Sequence, residues 1–396
     1  MKRPQAGALS HLRILDLTRV RAGPTCCRIF ADFGADVLRI EAPPGTDPND
    51  GVTGTRDSSD MMNLHRNKRS LTLNLKSEKG RALFMRLAVD ADMVVENYRP
   101  DVKSRLGIDY ASLKLVNPRI ILVSISGFGQ DGPYRSRAGY DQIAQGMGGL
   151  MSVTGFEGQG PVRAGVAVAD TTSGIYAAVG ALVALAERER SGEGQWVQTS
   201  LLQSMIGVMD FQAARFLVDG IVPGQAGNDH PVTAPMGLFR TQDGSINIGV
   251  GGNRQWQAMC SVLGLSELGA APEYATASAR TQNKARLKAA LEPAFAARTS
   301  RELLAALEEH GIPAGPVYAV DEVFEDPQVQ HLGMAVPVRH RRRGDIRVVA
   351  TPITMSRTPP AVTDASPDAG EHTDEILASL GLGPGEIAEL RAEKII

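Results

Sequence analysis

The stretch Arg13–Glu41, RILDLTRVRAGPTCCRIFADFGADVLRIE, determines the fold class. Arg13–Leu17 is a short apolar run typical of a buried strand, and Asp36–Ile40 is a second such run. Between them, Thr25–Phe33 carries apolar residues at helical spacing. Two strands joined through one helix form a βαβ unit with parallel strands. The sequence therefore predicts an α/β protein that begins with a Rossmann-like sheet.

Strand-sized apolar runs continue this alternation further along the chain. We predict strands at Thr72–Leu75, Met93–Glu96 and Ile120–Ser124, with a helix at Glu78–Leu87. Strands that alternate with helices form a doubly wound parallel sheet.

Longer helices and a change of pattern follow the sheet. Helices are predicted at Gly174–Arg190 and Ser200–Val218, then a hairpin within Phe239–Val250 that turns at Asp243-Gly244. A chain of 396 residues exceeds the usual size of one hydrophobic core. We predict a large Rossmann-like domain, a helical linker, a smaller α+β domain and a return segment that completes the large domain, at residues 1–195, 196–228, 229–318 and 319–396.

Composition excludes several functional classes. A net charge of -2 gives no general attraction to nucleic acid or anionic membranes, and the basic run Arg339–Arg343 is predicted to be a solvated loop. Three cysteines form no disulfide framework, and neither His230 nor His372 has metal-ligand spacing to a second ligand, so no metal is predicted. The N-terminal residues contain no apolar leader segment, which predicts a cytoplasmic protein.

The turn after the first strand allows a dinucleotide-binding interpretation, which its glycines disfavour. Arg21-Ala22-Gly23-Pro24 has one glycine where the G-x-G-x-x-G fingerprint needs three for the backbone to approach a pyrophosphate. We therefore expect neither NAD nor FAD at this turn.

Asp170 begins a long Ala- and Gly-rich helical stretch. Aspartate is a preferred helix N-cap, so capping alone would explain it. The unpaired N–H groups and the dipole at a helix start also favour the ionised carboxylate. An ionised carboxylate in a dry site can attack an acyl group without a base to activate it, so Asp170 is also a candidate nucleophile.

Sequence blocks recur in a fixed order along the chain: Ile14–Pro24, Ala31–Glu41, Asn67–Ser70, Val95–Pro100, Ser126–Pro133, Gly227-Asn228, Gly311–Val317 and Gly370–Thr373. These blocks resemble the class III CoA-transferases, the family of formyl-CoA transferase and carnitine CoA-transferase, and the resemblance covers nearly the whole chain. The segments Arg137–Asp141, Pro161–Ala167 and Phe324–Val329 look closest to the succinyl-CoA:glutarate branch.

The resemblance implies transfer of CoA between carboxylic acids, with acyl-CoA thioesters as substrates and no tightly bound cofactor. It places Asp170 at the nucleophile position. Two alternatives share the fold: an α-methylacyl-CoA racemase and a non-catalytic CoA-binding protein. Family racemases carry a histidine where this chain has Tyr140, and a phenol is a poor proton carrier at neutral pH. The sequence therefore favours the transferase.

Further site residues are implied by matching positions. By this match, the expected CoA contacts are Arg21, Leu73, Lys76, Asn97, Tyr98, Arg99 and Arg105. The lysine and the arginines among them are suited to the phosphate groups of CoA. The match is incomplete, since Ala42 and Ser126 replace an Arg and a Lys of formyl-CoA transferase.

The acyl side of the substrate is expected to meet Arg21, Tyr140, Arg163, Gly251 and Gly252. The glycines offer backbone donors, and either arginine could bind a second carboxylate. We expect short dicarboxylic acids as acceptors and a succinyl-CoA-like donor. The resemblance also implies an interlocked homodimer.

Overall fold

The computed structural model describes residues 7–46 and 55–396. The first six residues lie outside this range. They belong to the N-terminal segment for which no apolar leader was predicted. The chain divides into two compact units. The first comprises Met1–Leu150, Ala164–Ala214 and Pro327–Ile396, and the second comprises Met151–Arg163 and Arg215–Asp326. Residues 151–163 thus belong with the second unit, whereas they were predicted to lie in the large domain.

A six-stranded parallel sheet forms the centre of the first unit and confirms the predicted α/β class. Its spatial order is β3-β2-β1-β4-β5-β6. The order reverses between β1 and β4, and ligands of such sheets bind at this switch point, beyond the carboxyl ends of the strands. The strands are β1 Arg13–Asp16, β2 Asp36–Glu41, β3 Arg69–Thr72, β4 Met93–Glu96, β5 Ile121–Ser126 and β6 Trp196–Ser200.

Alternate residues of the strands β1, β2, β4 and β5 pack into cores on opposite faces of this sheet. Ile14 and Val95 belong to one core, whereas Leu15 and Val94 belong to the other. Burial on both faces explains why these strands are almost continuously apolar. The helices between β1 and β6 are α1 Ala22–Asp32, α2 Ser59–Leu64, α3 Glu78–Val89, α4 Pro100–Leu106, α5 Tyr110–Val116, α6 Asp141–Met147, α7 Leu150–Val153 and α8 Val168–Ser191.

The segment after α8 corrects the predicted linker. Residues 196–228 were expected to be helical, but Trp196–Ser200 is the edge strand β6. The long helix predicted at Ser200–Val218 is instead two helices, α9 Leu201–Gly207 and α10 Asp210–Asp219. Asp210, the first residue of α10, has a φ of 43°, a left-handed value that interrupts a continuous helix at this junction.

The second unit has its own core around an antiparallel sheet. The predicted hairpin is present as β7 Met236–Arg240 and β8 Ser245–Gly249, and β9 Ala314–Pro316 pairs with β8. Phe239 stacks on Phe295 within this core. The remaining helices and strands of the chain are α11 Asn253–Val262, α12 Ser266–Ala270, a 3₁₀ turn Pro272–Tyr274, α13 Ala277–Gln282, α14 Lys284–Ala296, α15 Ser300–Glu309, α16 Val320–Val323, α17 Pro327–His331, β10 Ala335–His340, β11 Gly344–Val349, α18 Thr373–Ser379 and α19 Pro384–Ala392.

Helix α8 packs closely against α1 through a face of small residues. A Cβ atom on Gly174 would lie 2.5 Å from the Ala22 carbonyl oxygen and 2.8 Å from Thr25 Cβ, so only glycine permits this approach. The same helix is long and apolar enough to cross a membrane by its length and composition. Its small-residue face lies in the first core.

Candidate active site

A cavity of about 1260 Å³ lies at the switch point, and all of its lining residues belong to the first unit. Residues that follow β1, β2, β4 and β5 contribute to its wall, as expected for a doubly wound sheet. Nine of the residues predicted from the sequence meet there: Arg21, Leu73, Lys76, Asn97, Tyr98, Arg99, Arg105, Tyr140 and Asp170.

The cavity is strongly basic. Its lining contains nine arginine or lysine residues against three acidic ones. Among the described residues, Glu41 is paired with Arg39 and Arg56, and Asp368 is paired with Arg342. The third acid, Asp170, forms no ion pair with any of the described residues. A cavity with surplus cations is suited to phosphate groups.

Asp170 lies in the first turn of α8 but does not cap it, which corrects one of the two sequence interpretations. The helix begins two residues earlier, at Val168, and its N-cap Ala167 offers no capping side chain. The carboxylate of Asp141 instead accepts hydrogen bonds from the backbone N–H groups of Ala169, at 2.9 Å, and Asp170, at 3.3 Å. The Asp170 side chain is therefore not required as a cap.

The protonation of Asp170 also differs from the expectation. Burial, followed by repulsion from the Asp141 carboxylate, raises the pKa of Asp170 to about 6, although Arg21 opposes the shift. The helix start was expected to favour the ionised form. Burial and the charge of Asp141, whose carboxylate already occupies two of the N–H groups, outweigh that contribution. At neutral pH the carboxylate is still mostly ionised, and it is more basic than an ordinary aspartate.

The raised pKa predicts that Asp170→Asn stabilises the protein above about pH 6. The folded-state pKa exceeds the unfolded value, so ionisation opposes folding, and stability is lost as the pH rises from 3.8 to about 6. After discounting for partial exposure, we expect a gain on the order of 1–2 kcal/mol at about pH 8. Thermal unfolding at several pH values should show this gain shrinking toward about pH 4; a gain independent of pH would contradict the assignment.

A buried ion pair fixes the loop between β1 and α1. Lys68 and Asp16 are fully buried and lie 2.8 Å apart, and Asp16 also accepts hydrogen bonds from the backbone and hydroxyl of Thr18. Val20 in this loop has a φ of 60°, a left-handed value that is strained for a β-branched residue. Such strain persists only where the surroundings impose it, as they do at this cavity wall.

Asn97 connects the two sides of the switch point. Its side-chain oxygen accepts a hydrogen bond from the Arg19 backbone N–H at 2.9 Å, and its side-chain nitrogen donates to the Arg19 carbonyl at 2.7 Å. The amide is therefore engaged in holding the loop after β1 against the turn after β4. Its neighbours Tyr98 and Arg99 line the cavity beside it.

Arg21 is the cation whose charge acts on Asp170. Its guanidinium is hydrogen-bonded to the carboxylate of Asp60, at the start of α2, and its side chain keeps about a third of its surface exposed. Arg21 is thus held at the cavity wall by a partner that a substrate carboxylate could replace.

Several cavity cations were not predicted from the sequence. Arg39, Arg56, Arg81 and Arg342 line the wall without any local motif that would single them out. Arg342 belongs to the run 339–343, which was predicted to be a solvated loop; it pairs with Asp57 at 3.0 Å and Asp368 at 2.6 Å. Ala42 and Ser126 also line the cavity, so other arginines supply the charge there.

Three predicted substrate contacts belong to the second unit. Arg163 lies in its segment Met151–Arg163, and Gly251 and Gly252 precede α11. The backbone N–H groups of both glycines donate hydrogen bonds to the side-chain oxygen of Gln255, at 3.2 and 3.4 Å. The roles of these three residues in substrate binding stay predictions.

Comparison with known proteins identifies the family. Residues 9–373 match the sequence model described as CoA-transferase family III. The chain belongs to CoA-transferase family III. It is 40% identical over 381 residues to the succinate–glutarate CoA-transferase of Agrobacterium fabrum, covering 94% of this chain and 95% of that protein. It is 34% identical to the succinyl-CoA–D-citramalate CoA-transferase of Chloroflexus aurantiacus, with 98% of both chains covered.

Solved structures agree with this assignment. A CAIB/BAIF family protein from Brucella suis is 37% identical, with a TM-score of 0.83 over 95% of this chain and all of that one. This family III protein is therefore a CoA-transferase, which moves CoA between an acyl-CoA and a free acid.

Proposed function

We propose that this CoA-transferase works through a covalent aspartyl-CoA thioester on Asp170. One observation carries the proposal: a half-buried carboxylate without an ion pair among the described residues lines a cavity rich in cations. Its pKa of about 6 leaves it ionised at neutral pH and gives it more basicity than an ordinary aspartate.

In the first half-reaction, an Asp170 oxygen attacks the carbonyl carbon of the donor thioester. The carbon–sulfur bond breaks, CoA leaves as a thiolate, and a mixed anhydride joins Asp170 to the acyl group. The thiolate then attacks the Asp170 carbonyl carbon and expels the donor acid as a carboxylate. The enzyme now holds CoA as a thioester.

The second half-reaction repeats these steps in reverse with the acceptor. An acceptor carboxylate oxygen attacks the aspartyl thioester, which releases CoA thiolate and forms a new anhydride. Thiolate attack on the acceptor carbonyl yields the product acyl-CoA and restores the Asp170 carboxylate. One thioester is exchanged for another, so the sequence needs no separate source of energy.

The cations of the cavity supply the binding energy for CoA in this proposal. Lys76 and Arg105 lie on its wall, and Arg105 is 70% exposed at the side chain with only Asp101 as an ion-pair partner among the described residues. Phosphate oxygens can replace water around such side chains with bidentate or point-charge contacts.

We propose short dicarboxylates as the acids, with a succinyl-CoA-like donor. The two enzymes compared above are named for succinate, glutarate and D-citramalate. Arg21 lies on the wall shared with Asp170 and can bind a second carboxylate in place of Asp60. The racemase alternative receives no comparable support, because Tyr140, which lines the same cavity as Asp170, stands where the family racemases carry a histidine.

The direct test is transfer from succinyl-CoA to a panel of free carboxylic acids, with new thioesters identified by mass. Formation of glutaryl-CoA together with free succinate would support the proposal. Recovery of unchanged succinyl-CoA with every acid in the panel would contradict it. Exchange of the α-proton with solvent deuterium, without thioester exchange, would point to racemase chemistry instead.

We also propose that the active form is an interlocked homodimer. Helix α8 exposes an apolar stripe on the side away from its small-residue face, formed by Ile175, Tyr176, Val179, Leu182 and Val183. These positions recur at the spacing of one helix face. A contiguous exposed apolar stripe on a soluble domain is characteristic of a protein interface.

Dilution should not produce a folded monomer if the chains are interlocked. Threaded chains separate only through extensive unfolding, so we expect a dimer by sedimentation down to nanomolar concentrations. Val183→Glu, which places a charge on the stripe, should lower the yield of soluble dimer. A compact monomer with native circular dichroism would contradict this prediction.

A further inference from the structure

The first turn of α8 is capped by a residue from a distant part of the chain. Its own N-cap, Ala167, has no side chain to accept a hydrogen bond. Asp141, at the start of α6, supplies the missing acceptor across 28 and 29 residues of sequence. A helix start needs acceptors for its free N–H groups, so Asp141 fixes the backbone at Asp170 itself.

Asp141 is held in turn by Gln145, which is fully buried. The Gln145 side-chain nitrogen donates to the second carboxylate oxygen of Asp141 at 2.6 Å and to the Val166 carbonyl at 3.1 Å. Its side-chain oxygen accepts from the Ala164 N–H at 3.0 Å. The segment before α8 and the first turn of α8 are thus tied to the same two side chains of α6.

The charges around Asp170 come from few elements. Asp141 on α6 repels its ionised form, while Arg21, on the loop before α1, attracts it and is itself paired with Asp60. Tyr140 lines the same cavity wall. Helix α1 packs against this end of α8 through Ala22 and Thr25, and it carries the ionisable residues Cys26, Cys27, Arg28 and Asp32. Strands β5 and β6 and helix α9 also pack against α8, and none of these three contains an ionisable side chain.

We propose that Asp141 is a positioning residue for CoA transfer, which holds the backbone of Asp170 in place through the first turn of α8. Its negative charge also contributes to the raised pKa of the Asp170 carboxylate. This inference rests on the proposed role of Asp170 as the nucleophile. A rigid backbone keeps the attacking oxygen directed at the thioester, which a loosely ordered helix end would not do. A more basic carboxylate is also the stronger nucleophile.

Two substitutions separate the two effects. Asp141→Asn retains an oxygen for the N–H groups of Ala169 and Asp170 but removes the charge, and it also loses the hydrogen bond from Gln145, because an amide nitrogen cannot accept one. The acid limb of the kcat/KM profile, near about pH 6 in the wild type, should move down by about one unit. kcat at about pH 8 should fall roughly tenfold, with the KM for acyl-CoA changed less than about twofold. Asp141→Ala removes both the hydrogen-bond acceptor and the charge, and kcat should fall roughly a hundredfold.

Two readouts do not depend on turnover. Hydrogen exchange of peptides covering residues 165–175 should accelerate strongly in Asp141→Ala and less in Asp141→Asn, which keeps the acceptor for the N–H groups of Ala169 and Asp170 but loses the hydrogen bond from Gln145. Carbon NMR of labelled aspartate should show a lower pKa for Asp170 in Asp141→Asn. Asp345→Asn, which changes an exposed carboxylate on β11, is the matched control and should alter none of these quantities.

The outcomes distinguish this inference from the function it rests on. Unchanged hydrogen exchange in Asp141→Ala together with an unchanged pH profile in Asp141→Asn would overturn the positioning role while leaving Asp170 as nucleophile. Faster exchange and a lowered Asp170 pKa, in a wild-type protein that forms no aspartyl thioester, would uphold the positioning of Asp170 and refute its proposed chemistry.

Discussion

Asp170→Asn is expected to lower kcat for CoA transfer by at least about a thousandfold while the protein remains folded. The amide preserves the size of the side chain but cannot form the anhydride. The backbone at this position is held by Asp141 rather than by the Asp170 side chain, so the helix start should survive the change. Initial rates with succinyl-CoA and glutarate, compared with the circular dichroism spectrum, give both quantities.

Chemical trapping provides an independent measurement of the same intermediate. Hydroxylamine added with acyl-CoA should convert Asp170 of the wild type to a hydroxamate, which peptide mass spectrometry locates. Asp345→Asn serves as the matched control, because it removes an exposed carboxylate on another strand, and it should retain wild-type activity. Full activity in Asp170→Asn, or modification only at other carboxylates, would eliminate the covalent mechanism.

Glutarate should exceed butyrate as an acceptor by roughly a hundredfold in kcat/KM. Butyrate lacks the second carboxylate, so Arg21 would lose that partner in its complex. A site whose arginine had no other partner could discriminate by about 10⁴. Asp60 pairs with Arg21 in this structure and can do so again when a monoacid binds, which limits the penalty. Competing the two acids for one donor and quantifying the thioesters by mass measures the ratio.

Two arginine variants locate the origin of this selectivity. Arg21→Gln should lower the glutarate-to-butyrate ratio to within about tenfold, mainly by slowing glutarate. Arg105→Gln removes a cation from the same cavity at an exposed position and should slow both acids equally through weaker CoA binding. Equal kcat/KM for the two acids in the wild type would reject dicarboxylate selectivity and leave CoA transfer untouched.

Most of the parallel sheet was predictable because the inner strands are marked by their own residues. Burial on both faces makes β1, β2 and β4 mostly apolar, which short-range patterns reveal. The third strand was predicted at Thr72–Leu75 but lies at Arg69–Thr72. The edge strand β6 was missed because only its last residue, Ser200, is buried. Its sequence, WVQTS, lacks the apolar run that marks the inner strands and was placed in a helical linker.

The cavity was predictable only in part. Residues that follow strands, such as Asn97 and Arg99, meet at the switch point because the topology brings the carboxyl ends of the strands together. The start of α8 was predicted incorrectly, because its cap comes from Asp141 and no residue near Val168 signals it. Arg56 and Arg342 reach the cavity through tertiary packing, which leaves no periodic signal in the sequence.

The raised pKa of Asp170 has a consequence for the direction in which the mixed anhydride collapses. Under the proposed mechanism, that anhydride contains two possible leaving groups, the substrate acid and Asp170. An alkyl carboxylic acid has a pKa of about 4.3, below the value of about 6 for Asp170. The less basic carboxylate departs more readily, so thiolate attack at the Asp170 carbonyl, which expels the substrate acid, is favoured over return to the donor thioester. The carboxylate pair Asp141 and Asp170 thereby biases each encounter with a donor toward the enzyme-bound thioester.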